Sequence, residues 1–505
     1  MSTIKNIDIR KFVFIKNFSK KENLLYVWSL KKNKKEKIKI KKDCNYIIGY
    51  LHNNNKDGEF IKIKNKNNVT KIENDIYASH HLYKYSDKTE KFVVYSNSID
   101  EIFKIKETEK ILNIKKTYEY FAYGYLPSTS KTIYNNITLV KGSTKVKINS
   151  QINEVRKDYN IFEKKDLKTT ASKLKLRLIG AIKQKIKDSS SSTFCMTGGL
   201  DTLLGSYFIK DIRRNLSLAT WGTKNTNDIK RAKIRKRIFF KNSKHFILNV
   251  EEKKIPVNDI KQYAYDVGGY GNLSAINIML FTKHLSKKKY HYYCDHYEAT
   301  RRIFENIDSL ISKYETPKNV IKKNFVNFLK YKKIVSYVHK RVKENYPVNN
   351  CKNFYFYDRY IKGTAMKNQI VNMNGSIKIS LPIETKFLNS ISNFIDLNNT
   401  KPYEKLFDIK NKNILNELKI TKELSETQAH KPMPFNQFYL LKNYKKFFIN
   451  EISKIEKTDL KKIFNLSRIK KTIKHQSFVI NEQWFLLRFL SLIIFFNKFK
   501  SFKLV

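Results

Sequence analysis

Residues 192–205 read STFCMTGGLDTLLG and combine the residue types that bind a phosphate group. The paired glycines let backbone N–H groups approach an anion closely. Thr197 and Thr202 add hydroxyl donors, whereas the Asp201 carboxylate is suited to hold Mg²⁺ or to orient the glycine turn. A plain strand–turn–helix would need the glycines but neither the carboxylate nor the hydroxyls. We therefore predict an anion-binding loop in this segment.

The residues around the loop predict the elements that position it. An apolar run before the loop and an apolar stretch at helical spacing after it predict a strand, a tight turn and a helix. Residues 216–222 (LSLATWG) predict a second strand, residues 228–240 (DIKRAKIRKRIFF) a helix, and residues 245–248 (HFIL) a third strand. The apolar positions of that helix are Ala232, Ile234, Ile238 and Phe239. Alternating strands and helices are typical of a doubly wound nucleotide-binding domain.

The loop spacing differs from the nucleotide loops G-x-x-x-x-G-K-[ST] and G-x-G-x-x-G. It resembles the S-G-G-x-D-S pyrophosphate loop of the ATP-pyrophosphatase fold, with threonine at both serine positions. The order of elements after the loop resembles the synthetase domain of asparagine synthetases, in which a D-x-x-x-A helix leads to a strand after a histidine. Weaker similarity to the same family extends over residues 74–83, 118–142, 266–276, 431–435 and 484–499.

The resemblance implies an α/β chain with two architectures in succession. An N-terminal Ntn-hydrolase-like α+β sandwich would precede a doubly wound ATP-pyrophosphatase (adenine nucleotide α-hydrolase-like) domain with a helical C-terminal part. Strand-like alternation gives way to a helical pattern at residues 167–186, which places the boundary. We therefore expect a degenerate glutamine-amidotransferase-like domain over residues 1–158, the synthetase domain over 159–399 and its helical part over 400–505.

The activity that the resemblance implies is an AMP-forming carbon–nitrogen ligase, which uses ATP and Mg²⁺ to adenylate a carboxylate and then joins it to an amine. Lys431 would neutralise charge on the phosphate and acyl oxygens, and Asp201 is the second expected catalytic residue. The expected Mg²⁺ ligands are Asp201, Asp295 and Glu298. The residues expected to contact ATP are Met196, Thr197, Gly198, Gly199, Leu200, Asp201, Thr202, Trp221, Gly222, Cys294 and Asp295.

Two of these assignments have a plainer alternative. Residues 293–304 (YCDHYEATRRIF) lack the glycines of the family's S-G-x-G-x-D-E loop, so Asp295 and Glu298 are either Mg²⁺ ligands or surface acids beside two arginines. Lys431 is either the loop lysine of the family or one exposed lysine among many. At Ser380 the chain also lacks the arginine that the family has two residues before a proline, which indicates a different second substrate.

The glutaminase half of the family pattern is missing. Glutamine-hydrolysing members carry a cysteine directly after the initiator methionine, and Ser2 follows Met1 here. The cysteines are scattered, at Cys44, Cys195, Cys294 and Cys351, and we find no counterpart of the N-G-E segment that clamps glutamine. We expect no glutaminase activity and an amine that is either ammonia or an amino group of the substrate. The second option would give a cyclase similar to β-lactam and lasso-peptide macrolactam synthetases.

The charge keeps a nucleic-acid alternative open. Lys and Arg number 101 against 45 Asp and Glu, a formal net charge of +56 that attracts polyanions. The lysines are spread along the whole chain, and runs such as residues 31–42 (KKNKKEKIKIKK) are typical of solvated strand edges. A tRNA-directed adenylating enzyme is therefore the second hypothesis, and a non-catalytic relic that binds nucleotide is the third.

Length and composition set the remaining expectations. A chain of 505 residues, 41% hydrophobic and 13% aromatic, is long and apolar enough for several folded domains. Without a secretory signal pattern or a C-x-x-C pair, the sequence favours a reducing, cytoplasmic compartment. Residues 484–496 are too few to span a bilayer and contain Arg488, so no membrane span is expected. The expected partners are a small-molecule or peptide carboxylate and an amine, with homo-oligomers left open.

Overall fold

The computed structural model describes most of the chain. The described residues are 7–20, 22–30, 35–39, 43–52, 57–89, 91–157, 171–186, 191–210, 212, 216–222, 227–249, 254–285, 287–294, 311, 325–326, 328–346, 358, 362–382, 435–476, 480–499 and 502–505. These residues form a mixed α/β fold with a curled mixed sheet and a separate parallel sheet.

The strands of the first sheet come from the N-terminal third of the chain. Their bounds are β1 (Ile7–Asn17), β2 (Glu22–Ser29), β3 (Lys35–Lys39), β4 (Cys44–His52), β5 (Asp57–Lys66), β6 (Val69–Asn74), β7 (Tyr83–Ser86), β8 (Phe92–Ser96), β10 (Ile137–Leu139), β11 (Thr144–Ile148) and β12 (Ile152–Arg156). The order is β10-β7-β8-β1-β4-β5-β6-β11-β12, and a branch of β2 and β3 pairs with β1. The pairs are antiparallel except β1 with β4.

Alternating side chains explain why these segments form a sheet. In β11, Thr144, Val146 and Ile148 are buried, whereas the two lysines between them are exposed. Within the described residues β3 pairs only with β2, so this part of the lysine-rich run at 31–42 forms a sheet edge, as the sequence predicted.

The second sheet is parallel and has five strands in the described part of the chain. They are β13 (Ser192–Cys195), β14 (Ser217–Gly222), β15 (His245–Asn249), β16 (Tyr290–Tyr293) and β17 (Ile377–Ser380). Their order is β15-β14-β13-β16-β17, and all pairs are parallel. The chain therefore reverses its direction of travel across the sheet between β13 and β16, which is the point where ligands bind in open α/β sheets. The two strands predicted at 216–222 and 245–248 are confirmed as β14 and β15.

Helices cover the sheets and build the C-terminal part. Their bounds are α1 (Ile99–Phe103), α2 (Ile114–Tyr123), α3 (Ala171–Lys185), α4 (Leu200–Ile209), α5 (Asn227–Phe239), α6 (Val257–Asp266), α7 (Ile276–His284), α8 (Phe328–Asn345), α9 (Lys362–Met373), α10 (Phe435–Asn443), α11 (Lys445–Ile455), α12 (Leu466–His475) and α13 (Ile480–Phe499). A short parallel pair joins β9 (Ile111–Leu112) to β18 (Lys503–Leu504).

The C-terminal helix α13 is part of the hydrophobic core. Leu486, Leu487, Phe489 and Leu490 in it are fully buried, and α11 and α6 pack against it. Across the described ranges, no helix combines the length and the apolar character that crossing a membrane requires.

Helix α5 departs from its predicted apolar face. Ala232 is fully buried and Ile234 and Phe239 are half-buried, but Ile238 is 43% exposed, so its expected place in the core is wrong. Arg235 is fully buried as well, beside Ala232 on the same face. Its side chain reaches the carbonyl groups of the loop after β13, so a charged residue takes a buried position on this helix.

Both sheets contribute to the main hydrophobic core. A single hydrophobic cluster joins side chains of the first sheet, such as Tyr85, with Phe194 of the parallel sheet and Phe485 of the last helix. The expected domain boundaries near residues 158 and 399 lie outside the described residues, and the division into three parts stays a prediction.

Candidate functional site

The loop at 197–199 begins where β13 ends, at the centre of the parallel sheet. The Met196 N–H donates to the carbonyl of Ala219 at 2.8 Å, and the Thr220 hydroxyl donates to the Met196 carbonyl at 2.5 Å. Both backbone groups of Met196 therefore bond to β14, and its side chain is fully buried. Met196 supports the loop from below, and the chain leaves the sheet at Thr197.

The structure brings together the two hydroxyls that the sequence singled out. Thr197 Oγ1 and Thr202 Oγ1 lie 2.9 Å apart, and the Gly199 N–H donates to Thr197 Oγ1 at 3.2 Å. Helix α4 begins at Leu200 with Gly199 as its N-cap, which offers no side-chain oxygen to the first turn, and half-buried Asp201 lies in that turn. The N–H groups of a helix start and its positive dipole end favour an anion at this place.

A carboxylate of the protein already lies against the loop. The Gly198 N–H donates to Asp228 Oδ1 at 2.9 Å, from the first turn of α5. A Cβ atom at position 198 would lie 2.7 Å from this oxygen and 2.9 Å from Asp228 Cα, so only glycine permits the close approach. The contact shows that the loop binds an acidic group through its backbone.

Arg235 holds the carbonyl side of the same turn. Its Nη1 donates to the carbonyls of Thr197 and Gly199, the latter at 3.0 Å, and its Nη2 donates to the Gly198 carbonyl at 2.9 Å. Three successive carbonyl oxygens thus face one buried guanidinium, which keeps them from repelling a bound phosphate. Sequence reasoning missed Arg235 because it searched α5 for apolar positions. The available signal was its place three residues after buried Ala232, on the same helical face.

A second arginine flanks the loop. Arg231 Cδ would lie 3.0 Å from a Cβ atom at Gly198, so its stem passes beside the turn. Burial lowers the pKa of the Arg231 guanidinium and the neighbouring Asp228 carboxylate acts in the opposite direction. An arginine remains charged at neutral pH even so, and Arg231 adds positive charge beside the loop.

His245 is linked to the base of the loop through a hydroxyl. Its Nε2 lies 2.9 Å from Thr220 Oγ1, whose proton is given to the Met196 carbonyl. His245 must therefore donate from Nε2. Burial, followed by the nearby Lys236 and Lys233, lowers the pKa of His245 to about 4, so the ring is neutral at neutral pH.

The end of β14 carries the residues expected near adenine. The Trp221 ring packs against Phe281 of α7, with ring centroids 4.6 Å apart, and against Tyr293 at 6.3 Å. Trp221 and Gly222 are both half-buried. Trp221 thus belongs to the apolar cluster on the α7 face of the sheet, whereas Met196 belongs to the main core.

Cys294 packs against α4 with its side chain. A Cβ atom at Gly205 would lie only 2.0 Å from Cys294 Sγ, so Gly205 lets the helix approach the end of β16. The thiol of Cys294 is buried, as are those of Cys44 and Cys195. The residue follows β16 at the same edge of the sheet as the loop.

The remaining expected site residues, Asp295, Glu298 and Lys431, lie outside the described residues and stay predictions. In the described ranges, no three His, Cys, Asp or Glu side chains are grouped so that they could hold a metal ion. Of the expected Mg²⁺ ligands, only Asp201 has a place in the structure, in the first turn of α4.

No protein-family model matches this chain, and no curated protein matches it. The grounds for a functional assignment are therefore the residues of the loop and their surroundings.

Proposed function

We propose that the protein is an ATP-dependent, amide-forming ligase that binds the phosphates of ATP at residues 197–202. One observation carries the proposal. A glycine turn at the carboxyl end of the central parallel strand leads into a helix start, and the Thr197 and Thr202 hydroxyls meet there at 2.9 Å. This arrangement is what the resemblance to the S-G-G-x-D-S pyrophosphate loop predicts for a phosphate site.

The strand order supports the proposed fold of this half. In doubly wound sheets a nucleotide binds where the strand order reverses, and the loop after β13 lies at that reversal, between β13 and β16. We propose the ATP-pyrophosphatase architecture for the parallel sheet with its helices, and an Ntn-hydrolase-like origin for the N-terminal sheet.

The resemblance to asparagine synthetases implies adenylation of a carboxylate followed by amide formation. A carboxylate oxygen of the substrate attacks the α-phosphorus of ATP, the bond to the bridging oxygen breaks, and pyrophosphate leaves. The amine then attacks the acyl carbon of the adenylate, loses a proton and displaces AMP. N–H groups of the α4 start and the two hydroxyls would stabilise the charge on the departing pyrophosphate, with Arg231 nearby. Mg²⁺, held by Asp201, would neutralise further phosphate charge when bound.

The amine is proposed to be ammonia or an amino group of the substrate itself. Of the cysteines that the structure describes, Cys44, Cys195 and Cys294 are all buried, which does not suit a thiolate nucleophile that must reach glutamine. Lys431 is proposed to neutralise charge on the acyl and phosphate oxygens.

The test is ATP–pyrophosphate exchange on the purified protein with Mg²⁺. The candidate carboxylates are aspartate, a pool of amino acids, small peptides and bulk tRNA, and Asp201→Ala is the loss-of-function variant. We expect exchange that depends on one carboxylate and is lost in the variant. Binding of ATP without exchange would instead support a nucleotide-binding relic, and exchange with tRNA alone would support the tRNA-directed enzyme.

The two glycines provide a matched pair for the loop itself. A Cβ atom at Gly199 meets only Thr197 Oγ1, at 3.5 Å, whereas one at Gly198 meets Asp228 and Arg231 at 3.0 Å or less. We expect Gly198→Ala to lower the melting temperature. Gly199→Ala should keep the melting temperature but reduce exchange by about tenfold or more, because the new methyl group lies where a phosphate approaches. Unchanged exchange in Gly199→Ala would show that the glycine serves only the turn.

A further inference from the structure

Glu59 of the N-terminal sheet reaches into the parallel-sheet half of the molecule. It lies on β5 and is 1% exposed. Its Oε2 accepts the Ser380 N–H at 2.6 Å, and its Oε1 accepts the Ser380 hydroxyl at 2.9 Å and the Asn368 amide at 3.2 Å. These donors come from β17 and α9. The carboxylate therefore joins the two halves across 321 residues of sequence.

Ser380 is held on every side at the end of β17. Lys378 Nζ donates to its hydroxyl at 2.8 Å, and Lys185 Nζ donates to its carbonyl at 2.7 Å. Ser380 itself is fully buried. From the missing arginine at Ser380, the sequence predicted a different second substrate. In the structure, the Ser380 side chain points into the junction between the sheets, where it bonds to Glu59.

The charges at this junction depend on one another. Lys378 and Lys185 are buried, and buried ammonium groups are tolerated only with hydrogen-bonded, charged partners. The Ser380 hydroxyl accepts from Lys378 and donates to Glu59, so it connects the ammonium to the carboxylate. Removal of the Glu59 charge would therefore weaken the hydrogen bonds that hold Ser380.

That residue lies at the functional edge of the sheet. The carboxyl ends of β13, β16 and β17 are neighbours, and two strand spacings place the end of β17 about 10 Å from that of β13. ATP phosphates at the loop after β13 would leave the carboxylate substrate beside the ends of β16 and β17, because that substrate must reach the α-phosphorus.

We propose that Glu59 is a positioning residue of the ligase, by which the N-terminal sheet fixes the end of β17 on the carboxylate-substrate side of the site. The inference rests on the proposed function for its catalytic consequence. The N-terminal sheet would thus support the synthetase half structurally, and this role does not require glutaminase activity.

The test compares Glu59→Gln with Glu73→Gln. Glu73 lies on the neighbouring strand β6, with its side chain 36% exposed and paired with Lys145 at 3.1 Å, so it controls for loss of a glutamate from the same sheet. In ATP–pyrophosphate exchange, we expect Glu59→Gln to lower kcat roughly tenfold to a hundredfold and to raise the KM of the carboxylate substrate. The KM of ATP should stay within about twofold, and Glu73→Gln should match the wild type. An equal rise in the KM of ATP would overturn a role confined to the β17 side.

Amide hydrogen exchange decides on the anchor independently of activity. In Glu59→Gln the 377–382 segment should lose protection, while β4 and β13 keep theirs. Unchanged protection at 377–382 would overturn the proposal even if activity fell. If the wild type shows no ATP–pyrophosphate exchange, the proposed function fails, and this readout still shows whether Glu59 fixes β17.

A second variant covers the case in which Glu59→Gln does not fold. Ser380→Ala removes the hydroxyl but keeps the backbone bond to Glu59, so a smaller loss of protection and a smaller drop in kcat are expected. A Ser380→Ala protein with wild-type protection and kinetics would contradict the proposed link between Lys378 and Glu59.

Discussion

The loop after β13 and the end of β17 lie at the same edge of the parallel sheet, but they are fixed by partners of different origin. The β13 loop is held by Asp228 and Arg235, which follow it by 30 to 38 residues in the next strand–helix unit. Ser380 is held by Glu59, 321 residues earlier in the chain. The hydrogen bonds that hold the loop after β13 form within one local unit. Those that join Ser380 to Glu59 form only when both sheets have packed together.

In the proposed function, this difference separates binding of the nucleotide from placement of its reaction partner. The loop after β13 is fixed within its own unit and would bind phosphate independently of the N-terminal sheet. The position of Ser380 at the end of β17 depends on how the two sheets pack, because it bonds to Glu59 of the first sheet and to Lys378 of the parallel sheet. Variants that act on one region and spare the other therefore test the comparison directly.

The largest expected effect is at Arg235. Arg235→Met keeps the stem of the side chain but removes the donors to three carbonyl oxygens of the loop. The carbonyl of Gly199 keeps its bond from the Leu203 N–H, and the other two lose a charged donor. We expect the free energy of unfolding to fall by roughly 3 kcal/mol or more, measured by urea denaturation. Arg235→Lys should recover part of the loss, since a lysine cannot span all three carbonyls.

Arg237→Met is the matched control, because Arg237 is exposed on the same helix. Its effect should stay within about 0.5 kcal/mol. Equal effects at the two arginines would show that the loop does not depend on the guanidinium. The loop would then not be fixed by Arg235 within its own strand–helix unit.

These cases show which parts of the fold the sequence could predict. The strands β14 and β15, the helix α5 and the meeting of Thr197 with Thr202 follow from local periodicity and from spacing within a few residues. Arg235 broke the apolar pattern of its helix, and a search for apolar positions passes over a charged residue that is buried by its hydrogen bonds. The pairing of Glu59 with Ser380 has no local signal, because nothing near either residue specifies how the two sheets pack.

Each of the two regions contains a histidine that is neutral in the native protein. Burial first, then Lys378 and His81, lowers the pKa of His80 beside the Glu59 junction to about 3, and the pKa of His245 below the β13 loop is lowered to about 4. The unfolded chain takes up protons at these rings below about pH 6.5, whereas the native protein does not. The contribution of these two histidines to stability is therefore complete above about pH 6.5. It is lost as the pH falls toward their native pKa values.

For fully buried His80 the loss is about 1.4 kcal/mol per pH unit, or about 2 kcal/mol between pH 6.5 and 5. His80→Gln should flatten the pH dependence of urea denaturation by that amount. The buried Asp75 carboxyl acts in the opposite direction, since burial raises its pKa to about 7, and it is unchanged in the comparison of the two proteins. If the pH dependence of unfolding is the same in His80→Gln as in the wild type, the acid sensitivity does not arise from His80 beside the Glu59 junction.

The smallest expected effect is at Thr197, where the S-G-G-x-D-S loop that this segment resembles has serine. Thr197→Ser keeps the oxygen that contacts Thr202 and accepts the Gly199 N–H, and loses only a methyl group. We expect ATP–pyrophosphate exchange within about twofold of the wild type for this variant. Thr197→Val has nearly the same shape but no oxygen, so exchange should fall roughly tenfold while amide protection at 377–382 stays unchanged. If serine and valine behave alike, the hydroxyl pair has no part in phosphate binding, and residues 197–199 form only a turn. If valine also loosens 377–382, the two regions are coupled, and the loop after β13 is not closed within its own unit.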